Sequence, residues 1–267
     1  DGLRKAREVA GDAIASVGVD TWGVDFGILD GQGSLLGLPV HYRDSRTEGI
    51  VEEITAQIPR EEIYAQSGIG FWPFNTLNQL YALAKADSPL LREGRALLFT
   101  PDLLHYWLSS VKASERSIAS TSQCLAVGED RWLDELLGRL GIPAHLLQPV
   151  VPSGTTLGSV TGDVAAATGL AGMKVIVPAC HDTASAVAAT PLSSVDAAYL
   201  SCGTWSLLGI ETREPIIDEA SFRIDAYDPR FLRPGLFEDS MPERAQSPAR
   251  NPRTSSRKGA GALAWTQ

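Results

Sequence analysis

One acidic residue stands just ahead of a glycine-centred pair of β-rich runs: Asp182 in Pro178-Ala-Cys-His-Asp-Thr-Ala-Ser-Ala186, then Ala198-Tyr-Leu-Ser-Cys-Gly-Thr-Trp-Ser206. That pairing suits phosphoryl transfer, which asks of a protein mainly a base for the attacking hydroxyl, backbone N–H donors around the phosphates and a metal to neutralise charge. Asp182 is the candidate base, and Ser201-Cys-Gly-Thr204 the candidate phosphate cradle. Gly203 allows close backbone approach to a ligand, and Thr204 adds a hydroxyl donor. Both features have structural alternatives: an Asp ahead of Thr-Ala-Ser caps many ordinary helices, and most glycine hairpins bind nothing.

The elements that must position these residues are readable from spacing. Lys174-Val-Ile-Val177 is a short apolar strand stopped by Pro178, and the small residues from Asp182 to Ala189 suit a helix start, so Asp182 falls where a strand gives way to a helix. Upstream, Leu3 to Ile14 reads as an amphipathic helix leading into a strand from Ser16 to Asp20. Further strands are expected over 23–30 and 35–42, with a hairpin turn at Asp30-Gly-Gln-Gly33. Helical spacing or caps then mark 46–57, 61–66, 75–85, 101–108, 132–140 and 162–168. Strands first and helices later predict a mixed α/β layer domain.

The chain has 267 residues, 44% of them hydrophobic, enough to bury a sizeable core as one domain or a domain and a half. Its formal net charge of −9 opposes non-specific binding to nucleic acid or anionic membranes. Cys124, Cys180 and Cys202 are widely spaced, with no C-x-x-C pair, which reads as free thiols in a reducing compartment and speaks against zinc. Cys180-His181-Asp182 invites a nucleophile or metal reading, but three consecutive side chains point in different directions and do not converge on one atom. No leader pattern and no membrane-length apolar run stand out, so the cytoplasm is the expected setting. Arg43-Asp-Ser-Arg46 reads first as a capped helix start with surface ion pairs and second as the border of a site; Trp22 reads as an aromatic platform for a ligand or as a core residue. His41, His105 and His145 are scattered, and structural roles come first for them.

With these segments in view, the chain resembles the FGGY family of carbohydrate kinases, nearest its rhamnulokinase branch. The likeness runs through Ser16-Val-Gly-Val-Asp-Thr-Trp-Gly-Val-Asp-Phe26, Gly37-Leu-Pro-Val-His-Tyr-Arg-Asp-Ser-Arg-Thr47, Tyr64-Ala-Gln-Ser-Gly-Ile69, Pro73-Phe-Asn-Thr-Leu77 and Leu97-Leu-Phe-Thr-Pro-Asp102 to the two segments above. The resemblance implies an actin-like ATPase (ribonuclease H-like) α/β fold, with one nearly complete N-terminal domain at 1–189, the start of a second at 190–220, and an unrelated tail at 221–267. It implies Asp182 as catalytic base, Gly23, His181 and Thr183 as sugar contacts, and Thr204, beside Gly203, as a contact to nucleotide phosphate. ATP and Mg²⁺ are the implied cofactors, the metal held through phosphates and water rather than by a protein site. The implied reaction moves the ATP γ-phosphate to the 1-hydroxyl of L-rhamnulose, a step of rhamnose catabolism.

The resemblance also has gaps. The family's first strand pair, with its D-x-G-x-x-x-x-R-like phosphate loop, is expected ahead of the Leu3 helix, and Asp20-Thr-Trp-Gly23 mimics it only in part. Beyond Ala220 the chain lacks sustained period, is broken by Pro229, Pro234, Pro242, Pro248 and Pro252, and turns basic after Arg244; a frameshifted, disordered tail is the expectation. Loss of most of the second domain would expose apolar strand edges at Leu200 and Leu207 and leave ATP turnover weak or nil. Two alternatives follow: a non-catalytic sugar-binding remnant, and an actin-like scaffold whose basic stretch, Arg244 to Lys258, meets an acidic partner.

Overall fold

Phe26–Leu29 and Ala96–Phe99 are unbroken apolar runs, and every residue of both is buried. They pair antiparallel with Phe26 opposite Phe99 and Leu29 opposite Ala96. A strand covered on both faces needs no polar alternation, which explains the continuous runs. The computed structural model describes residues 1–192, 197–203, 206–212 and 214–225. Thr204, and the tail from 226 onward with its basic stretch Arg244 to Lys258, lie outside the described residues.

In chain order, α1 (Gly2–Ala10) and a 3₁₀ turn (Gly11–Ala13) precede β1 (Ser16–Val17) and β2 (Phe26–Leu29). A second 3₁₀ turn (Ser45–Thr47) leads to α2 (Ile50–Gln57), α3 (Arg60–Ser67), α4 (Thr76–Lys85), α5 (Pro89–Glu93) and β3 (Ala96–Phe99). Next come α6 (Thr100–Ser109), β4 (Ser114–Glu115), α7 (Arg116–Ser120), α8 (Asp134–Arg139), a third 3₁₀ turn (Ala144–Leu146) and β5 (Val150–Val151). β6 (Thr156–Ser159), α9 (Gly162–Thr168), β7 (Lys174–Ile176), α10 (Asp182–Ala188), β8 (Ala198–Cys202), β9 (Ser206–Ile210) and α11 (Glu219–Asp225) complete the order.

β7 is the middle strand of a three-stranded sheet, parallel to β1 on one side and antiparallel to β6 on the other. β4 and β5 form a short parallel pair, and β8 and β9 an antiparallel ribbon. The main core joins β2 and β3 to α2, α3, α4 and α8 through Ile54, Ile63, Leu77, Leu97, Phe99 and Leu137. A smaller cluster, Val160, Leu170, Met173 and Val175, sits beneath α1 and α9.

Several expected boundaries move, each for a local reason. α1 stops at Gly11, which takes φ +58°, so the helix expected to reach Ile14 breaks into a 3₁₀ turn. The strand expected from Gly23 begins only at Phe26, because Val24 adopts φ +68°. The strand expected over 35–42 reduces to a bridge from Leu35 to Leu29; Pro39 removes a ladder donor there. The helix expected over 46–57 is split into the second 3₁₀ turn and α2 by Gly49 at φ +74°. Ser221, where the unrelated tail is expected to begin, lies in α11, and Phe222 packs on Tyr64 with ring centroids 5.3 Å apart. Of the two strand edges expected to be exposed, Leu200 is 58% exposed, while Leu207 is half-buried.

Candidate functional site

Two loops meet at the carboxyl ends of β1 and β7, where ligands bind in open α/β sheets. Thr21 and His181 form a parallel bridge: the Thr21 N–H donates to the Cys180 carbonyl and the Asp182 N–H to the Thr21 carbonyl, both at 2.9 Å. The loop carrying Gly23 is thereby tied to the turn carrying His181, Asp182 and Thr183. Asp182 is the first residue of α10 rather than its cap, which is His181 and makes no side-chain cap bond. The Asp182 side chain is 55% exposed and accepts from the Thr183 N–H at 2.7 Å. His181 Nε2 lies 3.5 Å from Asp182 Oδ1; burial holds the imidazole below its usual pKa, against the opposing pull of that carboxylate. Gly203 is exposed at the end of β8 in the β8–β9 ribbon, a sheet of its own that lies against α10.

The Gly23 side of the site is rigid by construction. A β-branched residue at φ +68° is strained by about 1–3 kcal/mol and persists only where its surroundings over-determine it. Val24 meets that condition. Its N–H donates to Thr121 Oγ1 at 3.1 Å, and its carbonyl accepts from Thr76 Oγ1 at 2.8 Å and Gln79 Nε2 at 3.3 Å. A Cβ at Gly23 would stand 3.0 Å from the Thr121 side chain, so a larger residue there must push that threonine aside. The Trp22 indole donates to Asp25 Oδ2 at 2.8 Å, while its ring stays 46% exposed, which makes it a tethered surface ring and not a core residue. Asp25 is buried with Oδ1 unpartnered, and burial pushes its carboxyl above the usual range. Arg46 donates to Gln79 Oε1 at 2.6 Å, and Asp44 caps the second 3₁₀ turn through the Arg46 N–H.

Beneath Asp182, Cys180 turns inward. Asp102, His105 and Cys180 are buried with ligand-type atoms within 4.8 Å of one another. The Val19 N–H donates to His105 Nε2 at 2.9 Å, so the neutral ring keeps its proton on Nδ1, which faces Cys180 Sγ at 4.0 Å. With that lone pair already engaged and Nδ1 protonated, the imidazole is a poor metal ligand, and the cluster reads as a buried polar core in which Asp102 accepts from the Glu115 N–H through Oδ1 while its Oδ2 has no partner. Burial, helped by the neighbouring carboxylates of Glu115 and Asp102, raises the Cys180 thiol far above its usual value, leaving it inert. The structural role expected for His105 is the one it has here; sequence reasoning missed Asp102 and Glu115 beside it, which in the chain resemble ordinary helix-start and core residues.

Burial lowers His105 from 6.5 to about 4. Between those values the unfolded chain binds a proton that the folded chain excludes, so this histidine costs stability as pH falls through that window, by about 2–3 kcal/mol at pH 4.5. Asp25 and Asp102, both raised by burial, act in the opposite sense. Urea midpoints at pH 7 and 4.5 should therefore be compared between the wild type and His105→Gln, whose amide oxygen can take the Val19 N–H. The variant should lose less on acidification; equal losses would remove His105 from the account.

Paired loops at the ends of parallel strands, with an exposed carboxylate at the head of a helix, occur in many α/β proteins; likeness to solved sugar kinases and a family match place this fold in the actin-like ATPase class. The ligand-bound xylulose kinase of Lactobacillus acidophilus superposes with TM-score 0.69 at 16% identity, covering 76% of this chain and 42% of that one. Glycerol kinase of Plasmodium falciparum with ADP gives TM-score 0.67 at 16% identity, covering 77% and 42%. Residues 3–189 match the FGGY family of carbohydrate kinases, N-terminal domain, and the chain belongs to that family. The rhamnulokinase of Pectobacterium carotovorum subsp. carotovorum (strain PC1) is 47% identical over 201 residues, 75% of this chain and 39% of the relative. That of Yersinia pestis bv. Antiqua (strain Angola) is 44% identical over 209 residues, 77% and 41%. The chain thus spans about two fifths of the length of these curated relatives.

Proposed function

We propose that the chain is the sugar-binding, base-bearing part of a kinase that transfers the γ-phosphate of ATP to the 1-hydroxyl of L-rhamnulose, giving L-rhamnulose 1-phosphate. The observation that carries this reading is the Asp182 carboxylate, exposed at the carboxyl end of β7 and bonded through its backbone to the Thr21–Gly23 loop. In this reading Asp182 takes the proton of the sugar hydroxyl as that oxygen bonds to the γ-phosphorus and the bond to ADP breaks. Gly23, His181 and Thr183 face the sugar, and Gly203 with Thr204 meets the nucleotide phosphates. The identity to rhamnulokinases supports the choice of ketose.

A divalent metal, Mg²⁺ in this proposal, would neutralise phosphate charge. It would be held through the phosphates and water; the thiol and protonated Nδ1 of the buried cluster do not suit a hard, oxygen-seeking ion. We place the protein in the cytoplasm, where ATP is at hand and the free thiols of Cys124, Cys180 and Cys202 stay reduced. No helix among the described residues is long and apolar enough to cross a membrane.

The test couples ADP release to added L-rhamnulose, beside calorimetric titration of the same sugar. Release that requires L-rhamnulose and exceeds that with other ketoses, however slow, supports the kinase reading. Sugar binding without ADP release would move the remnant reading ahead, and neither binding nor release would end both.

A further inference from the structure

Four donors converge on Glu115, a fully buried carboxylate that ends β4 and caps α7. Its Oε2 accepts from the Ser117 hydroxyl at 2.6 Å, the Ile118 N–H at 3.2 Å and the Cys180 N–H at 3.0 Å; Oε1 accepts from the Ser153 hydroxyl at 2.6 Å. The Ser117 hydroxyl in turn accepts from the His181 N–H at 3.1 Å. Directly and through one hydroxyl, Glu115 therefore holds two consecutive amides of the turn that delivers Asp182.

These amides need an outside acceptor. His181 is the cap and Asp182 the first residue of α10, and N–H groups at a helix start have no intrahelical partner. The Asp182 N–H uses the Thr21 carbonyl; Cys180 and His181 depend on Glu115 and Ser117. Capping α7 alone would require one acceptor for Ile118, which Ser or Asn supplies without burying a charge. The extra donors, reaching from residues 153 and 180, are what a carboxylate adds at this position.

We propose that Glu115 is a positioning residue: it fixes the Cys180–His181–Asp182 turn and, through it, the direction of the Asp182 carboxylate. The link to turnover rests on the kinase reading above; the hold on the turn does not. Residue-resolved amide exchange on the full 267-residue chain tests that hold directly. In Glu115→Ala the amides of 180 and 181 should exchange about tenfold to a hundredfold faster, with 26–29 and 96–99 unchanged. Glu115→Gln should restore most of the protection, its amide oxygen facing Cys180, Ser117 and Ile118 and its NH₂ donating to Ser153. Ser117→Ala, milder than Glu115→Ala, should release the His181 amide while Cys180 stays protected.

In turnover, kcat of Glu115→Ala should fall about a hundredfold with KM little changed, as for a displaced reacting group. Unchanged exchange at 180 and 181 overturns the proposal, and so does faster exchange that spreads to 26–29 and 96–99, which would make Glu115 a residue of the whole fold. A wild type that shows no sugar-dependent ADP release defeats the kinase reading instead, and the exchange data then decide the hold on the turn by themselves.

Discussion

Asp182→Asn should lower L-rhamnulose-dependent ADP release by about 10²–10⁴-fold, the range removed with a general base. Asparagine keeps the shape of the side chain and an oxygen able to accept from the Thr183 N–H, so the turn at the head of α10 stays in place. What disappears is the capacity to take the hydroxyl proton. Because the carboxylate is 55% exposed, the substitution should move stability by no more than about 0.5 kcal/mol, and sugar affinity should change only a few-fold. Steady-state kinetics, calorimetric titration and thermal melting of the same preparation separate the three effects. Wild-type turnover in the asparagine variant would assign the base elsewhere; a parallel loss of melting temperature would make Asp182 a structural residue.

Phe99→Ala should cost about 3–5 kcal/mol, a large share of the roughly 5–15 kcal/mol that holds a domain together. Phe99 is fully buried on β3, pairs with Phe26, and lies 6.5 Å centroid to centroid from Trp132. It is also the residue from which α6 starts, and α6 carries Asp102 and His105 beneath the site. Truncation leaves a cavity between elements anchored on both sides, with little room to collapse. Leu38→Ala is the control: the residue is apolar too but 86% exposed, and should change stability by about 0.5 kcal/mol or less. Urea midpoints of the two variants should differ several-fold in shift; comparable shifts would contradict the assignment of β3 to the core.

Much of the local structure was legible because its causes are local. Helix α9 runs from Gly162 to Thr168 as expected, since Thr161 caps it through the Val164 N–H and Gly169 ends it at φ +73°. The Asp30–Gly33 turn is likewise built from its own residues: Asp30 Oδ1 accepts from the Gln32 and Ser34 N–H groups at 2.8 and 2.9 Å. Asp182 belongs with these, because a short apolar strand, a proline and a run of small residues are enough to mark a strand-to-helix turn. The 35–42 segment shows the limit, since whether an alternating run becomes a strand depends on a partner edge, and only Leu35 finds one.

The sequence by itself therefore determined many of the periodic elements, the family and the residue offered as base, all of which rest on near neighbours or on strings read in order. Only the tertiary structure decided what stands behind that residue. Glu115 meets Cys180 across 65 positions of chain, His105 meets Val19 across 86, and Thr76 with Thr121 holds Val24 in a conformation that valine seldom takes. Spacing encodes which face of an element is apolar. It does not encode which distant donor a buried carboxylate will receive, because that choice is made by the packing of whole elements against one another.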